Sequence, residues 1–307
     1  MSYAFKDFHW TRHIPIKDYF LPKTLPEALD ILTEYQGRAL VVAGGTDVIP
    51  QLRRRELDAE ALVDITHLPD MKSIEENGER IVLGGLVTHA SIASSPLVRK
   101  KAKLFADGAG CLGSPQIRNV ATVAGNLVSG QPAADTSTPL LALDASVTIA
   151  SKDGERVVPL TKFFLDTGKT ILDCRREILT RIEFNALKEH HGCCYLRLSQ
   201  RKALALPILV CGVLVKVDKK RRVIEEAAIA LGPVAPIPFR ATRVEEKLRG
   251  SPVSKETIEA VGAIAMEESN PRDSLLRGSS LYRKEMAKVF VKRGLQKALA
   301  QCGFPVT

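Results

Sequence analysis

The chain has 307 residues, of which 45% are apolar and 26% charged, a composition that excludes a disordered or fibrous protein. Its 44 lysines and arginines outweigh 35 aspartates and glutamates, so the formal net charge is +9. At about 150 residues per domain, this length predicts two domains, each large enough to bury its own core.

Membrane and secretory features are missing from the sequence. The longest uncharged apolar stretch, residues 203–215, is interrupted by Pro207 and Gly212. It is also shorter than the roughly 20 residues that a membrane-spanning helix needs. Residues 1–15 lack the apolar segment of a signal peptide. The six cysteines form no CxxC pair, which is typical of reduced thiols. We therefore expect a cytoplasmic protein with no transmembrane segment.

The positive net charge raises the possibility of nucleic-acid binding. Basic residues alternate with acidic ones in residues 216–226 and 243–249, a pattern typical of solvated faces. The densest basic run, residues 53–55, ends at Glu56 and has no aromatic neighbour on which a base could stack. The sequence therefore predicts no nucleic-acid partner, and a flavin-free scaffold or nucleic-acid-binding module stays as an alternative.

The first part of the chain alternates short helices and strands. Thr24 followed by Glu27 forms a capping box, which predicts the start of a helix. Residues 39–42 are expected to form a strand that runs directly into Ala43-Gly44-Gly45-Thr46-Asp47. Residues 61–66 are a second apolar run. This alternation predicts an α+β domain.

Turn signals and a long segment of small residues follow. Asn77-Gly78 and Asp153-Gly154 each predict a hairpin, because these pairs tolerate the positive φ angles of tight turns. Residues 88–94 and 99–106 have helical spacing. Residues 107–145 are rich in small and polar side chains and are predicted to be a long loop, which inside a compact domain is usually functional.

The composition changes near residue 188. Residues 193–231 are mainly strand-like, with a turn at 218–222. Three helices are predicted after them, each opened by a Ser or Thr that can cap it: 242–249, 254–269 and 280–301. We therefore predict domains at 1–187 and 188–307, the second being a small antiparallel sheet followed by helices.

One apparent dinucleotide motif is rejected. Residues 108–113 match GxGxxG, but that motif requires a preceding strand and a following helix. Here a helix-like segment precedes it, and Ser114-Pro115 is expected to prevent a helix directly after it. The sequence therefore excludes a Rossmann site.

Two loops of small residues are better candidates for a phosphate site. Residues 43–47 and 122–126 both carry glycine, which allows backbone N–H groups to converge on an anion. Ser129 and Asp135 follow the second loop and can hold phosphate oxygens and ribose hydroxyls. The six histidines have no metal-ligand spacing and no GxSxG motif occurs, so a cofactor is expected to supply the chemistry.

The combination of motifs resembles a known family. The motifs are VVAGGTD (41–47), GSPQIRN (113–119), TVAGN (122–126) and PAADT (132–136). In this order they resemble the FAD-binding subunit of molybdenum hydroxylases, which include xanthine, nicotinate and carbon monoxide dehydrogenases. The resemblance extends over nearly the whole chain. It implies a two-part FAD-binding domain of the vanillyl-alcohol-oxidase (PCMH) type, followed by the C-terminal domain of carbon monoxide dehydrogenase flavoproteins.

The same resemblance implies which residues surround FAD. The pyrophosphate would be wrapped by Val41, Val42, Ala43, Gly44, Gly45, Thr46 and Asp47. A second phosphate-side loop would comprise Thr122, Gly125, Asn126 and Ser129, with Asp135 on the ribose or adenine side. Leu112 and Leu179 would make apolar contacts, and Arg197 would lie near the flavin. A cation there would favour the anionic reduced flavin, while a surface Arg at a strand end is the alternative.

Three departures from the family pattern bear on the expected cofactors and on the path of the second loop. Ala124 stands where many relatives have glycine, which requires a negative φ at this position. Residues 126–144 contain no cysteine, so no iron–sulfur cluster or other metal is expected in this chain. Residues 43–47 contain no histidine, so FAD is expected to be non-covalent.

The resemblance implies the flavoprotein subunit of a multi-subunit molybdenum hydroxylase, an oxidoreductase component. Its partners would be a molybdopterin-binding large subunit and a small subunit with two [2Fe–2S] clusters. Electrons would pass from those clusters through FAD to NAD⁺ or another acceptor, with no catalytic acid or base on this chain. The alternative is a free-standing FAD oxidoreductase of the same fold, for which the sequence offers no acid–base residue.

Overall fold

The computed structural model describes residues 16–306, and within them the predicted α+β architecture is confirmed. Four β-sheets and eleven α-helices lie in these residues. The prediction that a signal peptide is missing concerns residues 1–15, which lie outside the described residues. In the described part of the chain, no helix is both long and apolar enough to cross a membrane.

A parallel sheet comes first. Its three strands are β1 (Asp18–Phe20), β2 (Ala39–Val42) and β3 (Ala61–Asp64), with β3 in the centre. Helix α1 (Leu25–Glu34) connects β1 to β2, and its predicted N-cap at Thr24 is confirmed, whereas the reciprocal bond of a capping box is made to Lys23 and not to Thr24. The Thr24 hydroxyl accepts the Glu27 N–H at 3.3 Å, and the Glu27 carboxylate accepts the Lys23 N–H at 2.7 Å. Helix α2 (Val48–Arg53) follows β2 after five residues.

The second sheet has five antiparallel strands in the order β4-β5-β10-β6-β7. These strands are β4 (Ile74–Asn77), β5 (Arg80–Gly84), β6 (Ser146–Ser151), β7 (Gly154–Pro159) and β10 (Ile178–Asn185). Both predicted hairpins are confirmed, since β4 pairs with β5 and β6 pairs with β7. A 3₁₀ turn (Leu160–Lys162) and the short pair β8 (Phe164–Asp166) and β9 (Lys169–Thr170) lie between β7 and β10.

Six short helices connect β5 to β6. They are α3 (His89–Ser94), α4 (Pro96–Lys101), α5 (Lys103–Cys111), α6 (Pro115–Val120), α7 (Val123–Val128) and α8 (Ser137–Ala142). The prediction of a long loop over 107–145 is therefore wrong. The predicted helix over 99–106 is also wrong, because the backbone at Ala102 (φ −155°) separates α4 from α5.

Hydroxyl caps explain why this small-residue segment is helical. The Ser114 side chain accepts the N–H of Ile117, and the Thr122 side chain accepts that of Gly125. Pro115 is the first residue of α6, where its missing N–H costs nothing and its fixed φ suits a helix. The expectation that Ser114-Pro115 prevents a helix is thus wrong, although GxGxxG still follows no strand, since its first two glycines lie within α5.

The last part of the chain is an antiparallel sheet covered by helices. Its strands are β11 (His191–Leu198), β12 (Leu209–Asp218), β13 (Val223–Gly232) and β14 (Phe239–Arg240). Its helices are α9 (Thr242–Leu248), α10 (Lys255–Glu268) and α11 (Ser280–Gln301). Ser254 and Ser279 cap α10 and α11, but Thr242 does not cap α9, whose N-cap is Ala241 without a side-chain bond.

The main hydrophobic core is shared between this sheet and the preceding elements. Cys193 and Ala230, from β11 and β13, belong to the same buried cluster as Phe105 of α5 and Phe184 of β10. A second cluster lies between the sheet and helices α9 to α11. The domain boundary at residue 188 stays a prediction.

Candidate functional site

Residues 43–47, here called the glycine loop, connect β2 to α2. Gly45 has φ +67°, which favours glycine. At Gly44, an added Cβ would lie 2.1 Å from the carbonyl oxygen of Val120 and 3.0 Å from the Cα of Ala121. Close packing against the end of α6 therefore requires glycine at position 44, whether or not a ligand binds.

The glycine loop has unpaired backbone donors. Within residues 16–306, the N–H groups of Gly44, Gly45, Thr46 and Asp47 donate to no protein acceptor. The first three residues are only partly buried and Asp47 is exposed, so water or a ligand can reach these groups. Several N–H groups in one turn form a concavity that binds anions. The loop can therefore hold phosphate oxygens through its backbone alone.

The predicted second loop, residues 122–126, is instead the N-cap and first turn of α7. Thr122 Oγ1 accepts the Gly125 N–H at 3.0 Å, so this donor is already used. Ala124 has the negative φ that its methyl group requires. Its N–H has no acceptor among residues 16–306. Thr122 also forms a β-bridge with Thr88, which places the starts of α3 and α7 side by side.

His89 is a residue that the sequence reasoning missed. Its Nδ1 lies 2.8 Å from the carbonyl oxygen of Ala121, which also accepts the His89 backbone N–H at 3.1 Å. The side chain is fully buried, and burial lowers the pKa of His89. The ring is therefore neutral, with Nδ1 donating, while Nε2 is buried without a partner in the described residues. This ring fixes the carbonyl of Ala121, the residue that lies between the Gly44 contact and Thr122.

Asp135 and Arg197 form a buried ion pair. Arg197 Nε donates to Asp135 Oδ1 at 2.8 Å, and Tyr195 Oη donates to the same oxygen at 2.7 Å. The side chains of Arg197 and Asp135 are 9% and 6% exposed, so the alternative of a surface Arg at a strand end is wrong. Burial raises the pKa of Asp135, while the hydrogen bond and charge of Arg197 oppose this shift.

Contact between Asp135 and Arg197 constrains their predicted roles. The family resemblance placed Asp135 at the ribose or adenine and Arg197 near the flavin. Because the two side chains touch, Asp135 and Arg197 lie at one place in the fold and not at two separate sites. Asp135 also compensates the charge of Arg197, which weakens the expected Coulombic effect of this cation on a flavin.

Two further residues of the predicted site, Asn126 and Ser129, connect α7 to the Asp135–Arg197 pair. The Asn126 side-chain oxygen accepts the Thr136 hydroxyl at 2.5 Å, directly beside Asp135. Ser129 Oγ donates to the Asn126 carbonyl oxygen at 2.7 Å. Together with the contact between Gly44 and Val120 at the end of α6, these bonds link the glycine loop to α7 and to the Asp135–Arg197 pair.

Leu112 and Leu179 lie in different surroundings. Leu112 is partly exposed at the end of α5, and the next residue, Gly113, accepts the Leu204 N–H from the segment that covers Arg197. Leu179 is 4% exposed and belongs to the main core, where its carbonyl oxygen packs against Gly85. The structure thus brings Leu112, but not the Leu179 side chain, to the surface of the candidate site.

The two strand residues before the glycine loop, Val41 and Val42, are directed into the fold. Val42 is 6% exposed and packs into a small core cluster, and Val41 is partly buried.

Tyr195 is a second site residue that the sequence reasoning did not identify. Strand alternation places it on the same face of β11 as Arg197 and could have identified it. A separate cavity of about 790 Å³ is lined by residues of the five-stranded sheet, the start of α1 and residues 68–73, and by none of the predicted site residues.

Two stretches that together make up most of the chain are similar to known protein families. A family model described as "FAD binding domain in molybdopterin dehydrogenase" matches residues 11–185. A second, "CO dehydrogenase flavoprotein C-terminal domain", matches residues 194–298. The carbon monoxide dehydrogenase medium chain of Hydrogenophaga pseudoflava is 31% identical over 94% of this chain and 99% of its own length. The nicotinate dehydrogenase FAD-subunit of Eubacterium barkeri is 31% identical over 90% and 94%.

The solved structures agree with the sequence comparison. Carbon monoxide dehydrogenase from Hydrogenophaga pseudoflava, in a form that lacks the Mo-pyranopterin moiety of the molybdenum cofactor, superposes with a TM-score of 0.89. The identity is 30%, and the match covers 94% of this chain and 99% of that chain. Both the order of elements and the sequence are therefore similar along nearly the whole length.

Proposed function

The chain belongs to the family of FAD-binding medium subunits of molybdenum-containing dehydrogenases, and from this premise we propose that the glycine loop holds the FAD pyrophosphate. The single observation that carries this assignment is the run of four N–H groups, from Gly44 to Asp47, without an acceptor in residues 16–306. A pyrophosphate offers only acceptor oxygens, so it is the complementary group.

The residues around the loop fit this ligand. Gly44 and Gly45 have no side chain to shield their N–H groups, and Gly45 has the positive φ that turns the chain. The Asp47 carboxylate can only accept hydrogen bonds when ionised, so Asp47 contributes its backbone N–H. The N–H of Ala124, at the start of α7, is a further donor without an acceptor in the described residues.

Asp135 and Arg197 are assigned to one location on the cofactor. Their 2.8 Å contact supports a shared position, with Leu112 nearby and Asn126 linking them to α7. Because Asp135 neutralises Arg197, the role of the pair is to orient the ligand by hydrogen bonds. The loop contains no histidine, which supports non-covalent binding.

The proposed activity is electron transfer within a multi-subunit molybdenum hydroxylase. When bound, FAD supplies a centre that takes electrons from the [2Fe–2S] clusters of a small partner subunit and passes them to NAD⁺ or another acceptor. A molybdopterin-binding large subunit would oxidise the substrate. The residues of this chain bind and orient the cofactor, and no acid–base residue of this chain takes part in the turnover.

Hydrogen–deuterium exchange on the purified full chain tests the phosphate site. The amides of residues 44–47 should exchange rapidly without FAD and become protected when FAD is added. The amides of residues 219–221, at the turn between β12 and β13, serve as the control and should not change. A chain that cannot be reconstituted with FAD would contradict the proposal, and so would bound FAD that leaves the exchange of residues 44–47 unchanged.

The acceptor is tested by running the last step in reverse. Under anaerobic conditions, NADH should bleach the visible flavin band of the reconstituted chain if NAD⁺ is the acceptor. A chemical reductant provides the control for full reduction. Bleaching by the chemical reductant but not by NADH would exclude NAD⁺ and leave another acceptor.

A further inference from the structure

Two neighbouring segments expose an unusual number of leucines. Leu275 and Leu276, before α11, are 106% and 75% exposed, and Leu204 and Leu206, between β11 and β12, are 60% and 66% exposed. The Gln200 side chain donates to the Leu276 carbonyl oxygen at 2.7 Å and joins the two segments. These four leucines are here called the apolar patch. Single exposed leucines are ordinary, but contiguous ones mark interaction surfaces.

Three arginines adjoin the apolar patch: Arg272, Arg277 and Arg283. No carboxylate of residues 16–306 lies within 4.0 Å of any of them. Arg283 is 3% exposed and donates only to carbonyl oxygens, those of Arg272 at 2.9 Å and of Pro233. Its Nε is buried without a partner in the described residues. Buried charge without a counter-charge is costly. Arg283 is out of reach of a docking protein, but Arg272 is exposed and Arg277 is half-buried, so a carboxylate from outside the chain can approach these two and offset the charge of the cluster.

The electrostatics of the arginine cluster agree with this geometry. Burial lowers the pKa of Arg277, and the charge of Arg272 lowers it further. Burial also lowers the pKa of Arg283, with further contributions from Arg277 and Arg272. The nearby Asp273 forms no ion pair with these arginines within the described residues, and its carboxylate accepts the Ser280 N–H that starts α11.

The apolar patch is continuous with the candidate cofactor site. Arg197 donates through Nη1 to Ser199 Oγ at 2.7 Å and through Nη2 to the Ala205 carbonyl oxygen. The segment that carries Leu204 and Leu206 therefore covers the Asp135–Arg197 pair directly. A protein that docks on the patch lies next to the residues assigned to the cofactor.

We propose that the apolar patch and the arginine cluster form the docking surface for the iron–sulfur subunit, whose matching surface is apolar and carries carboxylates. The inference rests on the proposed function, because an electron donor to FAD has to bind beside the cofactor. Carboxylates would pair with Arg272 and Arg277, the two accessible arginines, and the leucines would supply the desolvated centre of the interface.

The test uses the chain co-expressed with its iron–sulfur and molybdopterin subunits. The double variant Leu275→Ser/Leu276→Ser removes half of the patch, and Arg272→Glu reverses one charge. Matched controls are Val157→Ser, 67% exposed on β7, and Arg249→Glu, an exposed arginine after α9. The patch variants should raise the dissociation constant for the iron–sulfur subunit by at least about tenfold, and the controls should not.

A photo-crosslinker in place of Leu275, in the assembled complex, identifies the neighbour directly. A cross-link to the iron–sulfur subunit is expected. A cross-link to the molybdopterin subunit or to a second copy of this chain would overturn the proposal, and so would patch variants that bind the iron–sulfur subunit like the wild type. FAD released from the same preparations by denaturation and measured by its fluorescence reports the cofactor content apart from the iron–sulfur clusters, so failure of the proposed function is detected separately from failure of docking.

Discussion

The glycine loop and the start of α7 have similar sequences but use their backbone donors differently. Both are rich in small residues and both were predicted to be phosphate loops. The glycine loop leaves four consecutive N–H groups without an acceptor in residues 16–306, whereas Thr122 uses its own hydroxyl to pair the Gly125 N–H. A hydroxyl at the N-cap therefore turns a potential anion site into a self-satisfied helix start.

The two regions also depend on glycine for different reasons. Gly44 is packed against the backbone of α6, at a would-be Cβ distance of 2.1 Å from the Val120 carbonyl oxygen. At Gly125 the nearest atom to an added Cβ is the Thr122 hydroxyl, at 3.0 Å. A methyl group at Gly44 would therefore clash with the backbone of Val120. At Gly125 it would meet only the side chain of Thr122, which caps α7.

The largest effect is expected for Gly44→Ala. The added methyl group forces the glycine loop away from Val120 and Ala121, so the free energy of unfolding should fall by about 1–3 kcal/mol. FAD affinity should fall as well, because the loop donors move. Chemical denaturation and FAD titration measure the two effects.

The matched control for Gly44→Ala is Gly110→Ala. Gly110 lies within α5, and an added Cβ would be 3.8 Å from its nearest neighbour, the Cβ of Ala93. Alanine there should stabilise the helix by up to about 1 kcal/mol. Equal stability changes in the two variants would show that the contact between Gly44 and α6 is not important.

An intermediate effect is expected for Thr122→Val, which removes the hydroxyl cap and keeps the side-chain shape. Loss of an N-cap costs about 1 kcal/mol, and the freed Gly125 N–H becomes available to an anion. Stability should therefore fall while FAD affinity changes little. Thr122→Ser, which keeps the hydroxyl, should behave like the wild type, and a large loss of FAD affinity in Thr122→Val alone would contradict the division of roles between the two regions.

At neutral pH the smallest effect is that of His89, whose contribution to the pH dependence of stability appears only in acid. Burial lowers the pKa of His89 below its ordinary 6.5 in the folded protein. As the pH falls below 6.5, the unfolded chain gains a proton that the folded chain does not, so stability falls by at most about 1.4 kcal/mol per pH unit.

The His89 contribution is isolated by comparing the wild type with His89→Gln. Unfolding free energies at about pH 7.5 and about pH 5.5 give the pH dependence of each protein. The dependence should be weaker in the variant, which has no titrating ring. Identical dependences would mean that the pKa of His89 is the same in the folded and unfolded chains, which contradicts a buried, neutral ring held on the Ala121 carbonyl.

Local signals predicted much of the fold. The N-cap at Thr24 and the Asn77-Gly78 turn each act over a few residues, and the structure has both elements at the expected places. The end of α5 and helices α6 to α8 were not predicted, because their small and polar residues are also typical of a loop. Ser114-Pro115 and Thr122 were visible start signals for two of these helices and could have corrected the prediction.

The geometry of the site could not be derived from local signals. Arg197 meets Asp135 across 62 residues of sequence, and His89 meets the Ala121 carbonyl across 32. Such contacts depend on how the last sheet and the short helices pack, which no periodicity reveals. The family resemblance selected Asp135 and Arg197 individually, but their direct contact and its compensation of charge came only from the structure.

The contact between Gly44 and Val120 joins two parts of the fold that belong to different sheets. The glycine loop extends from the three-stranded sheet, whereas α6 and α7 belong to the helices that connect two strands of the five-stranded sheet. A dinucleotide bound there would contact both parts and hold them together. Ligand held only by the folded state adds about 2.7 kcal/mol of stability at a hundredfold excess over its dissociation constant, so cofactor supply would regulate the lifetime of the folded subunit.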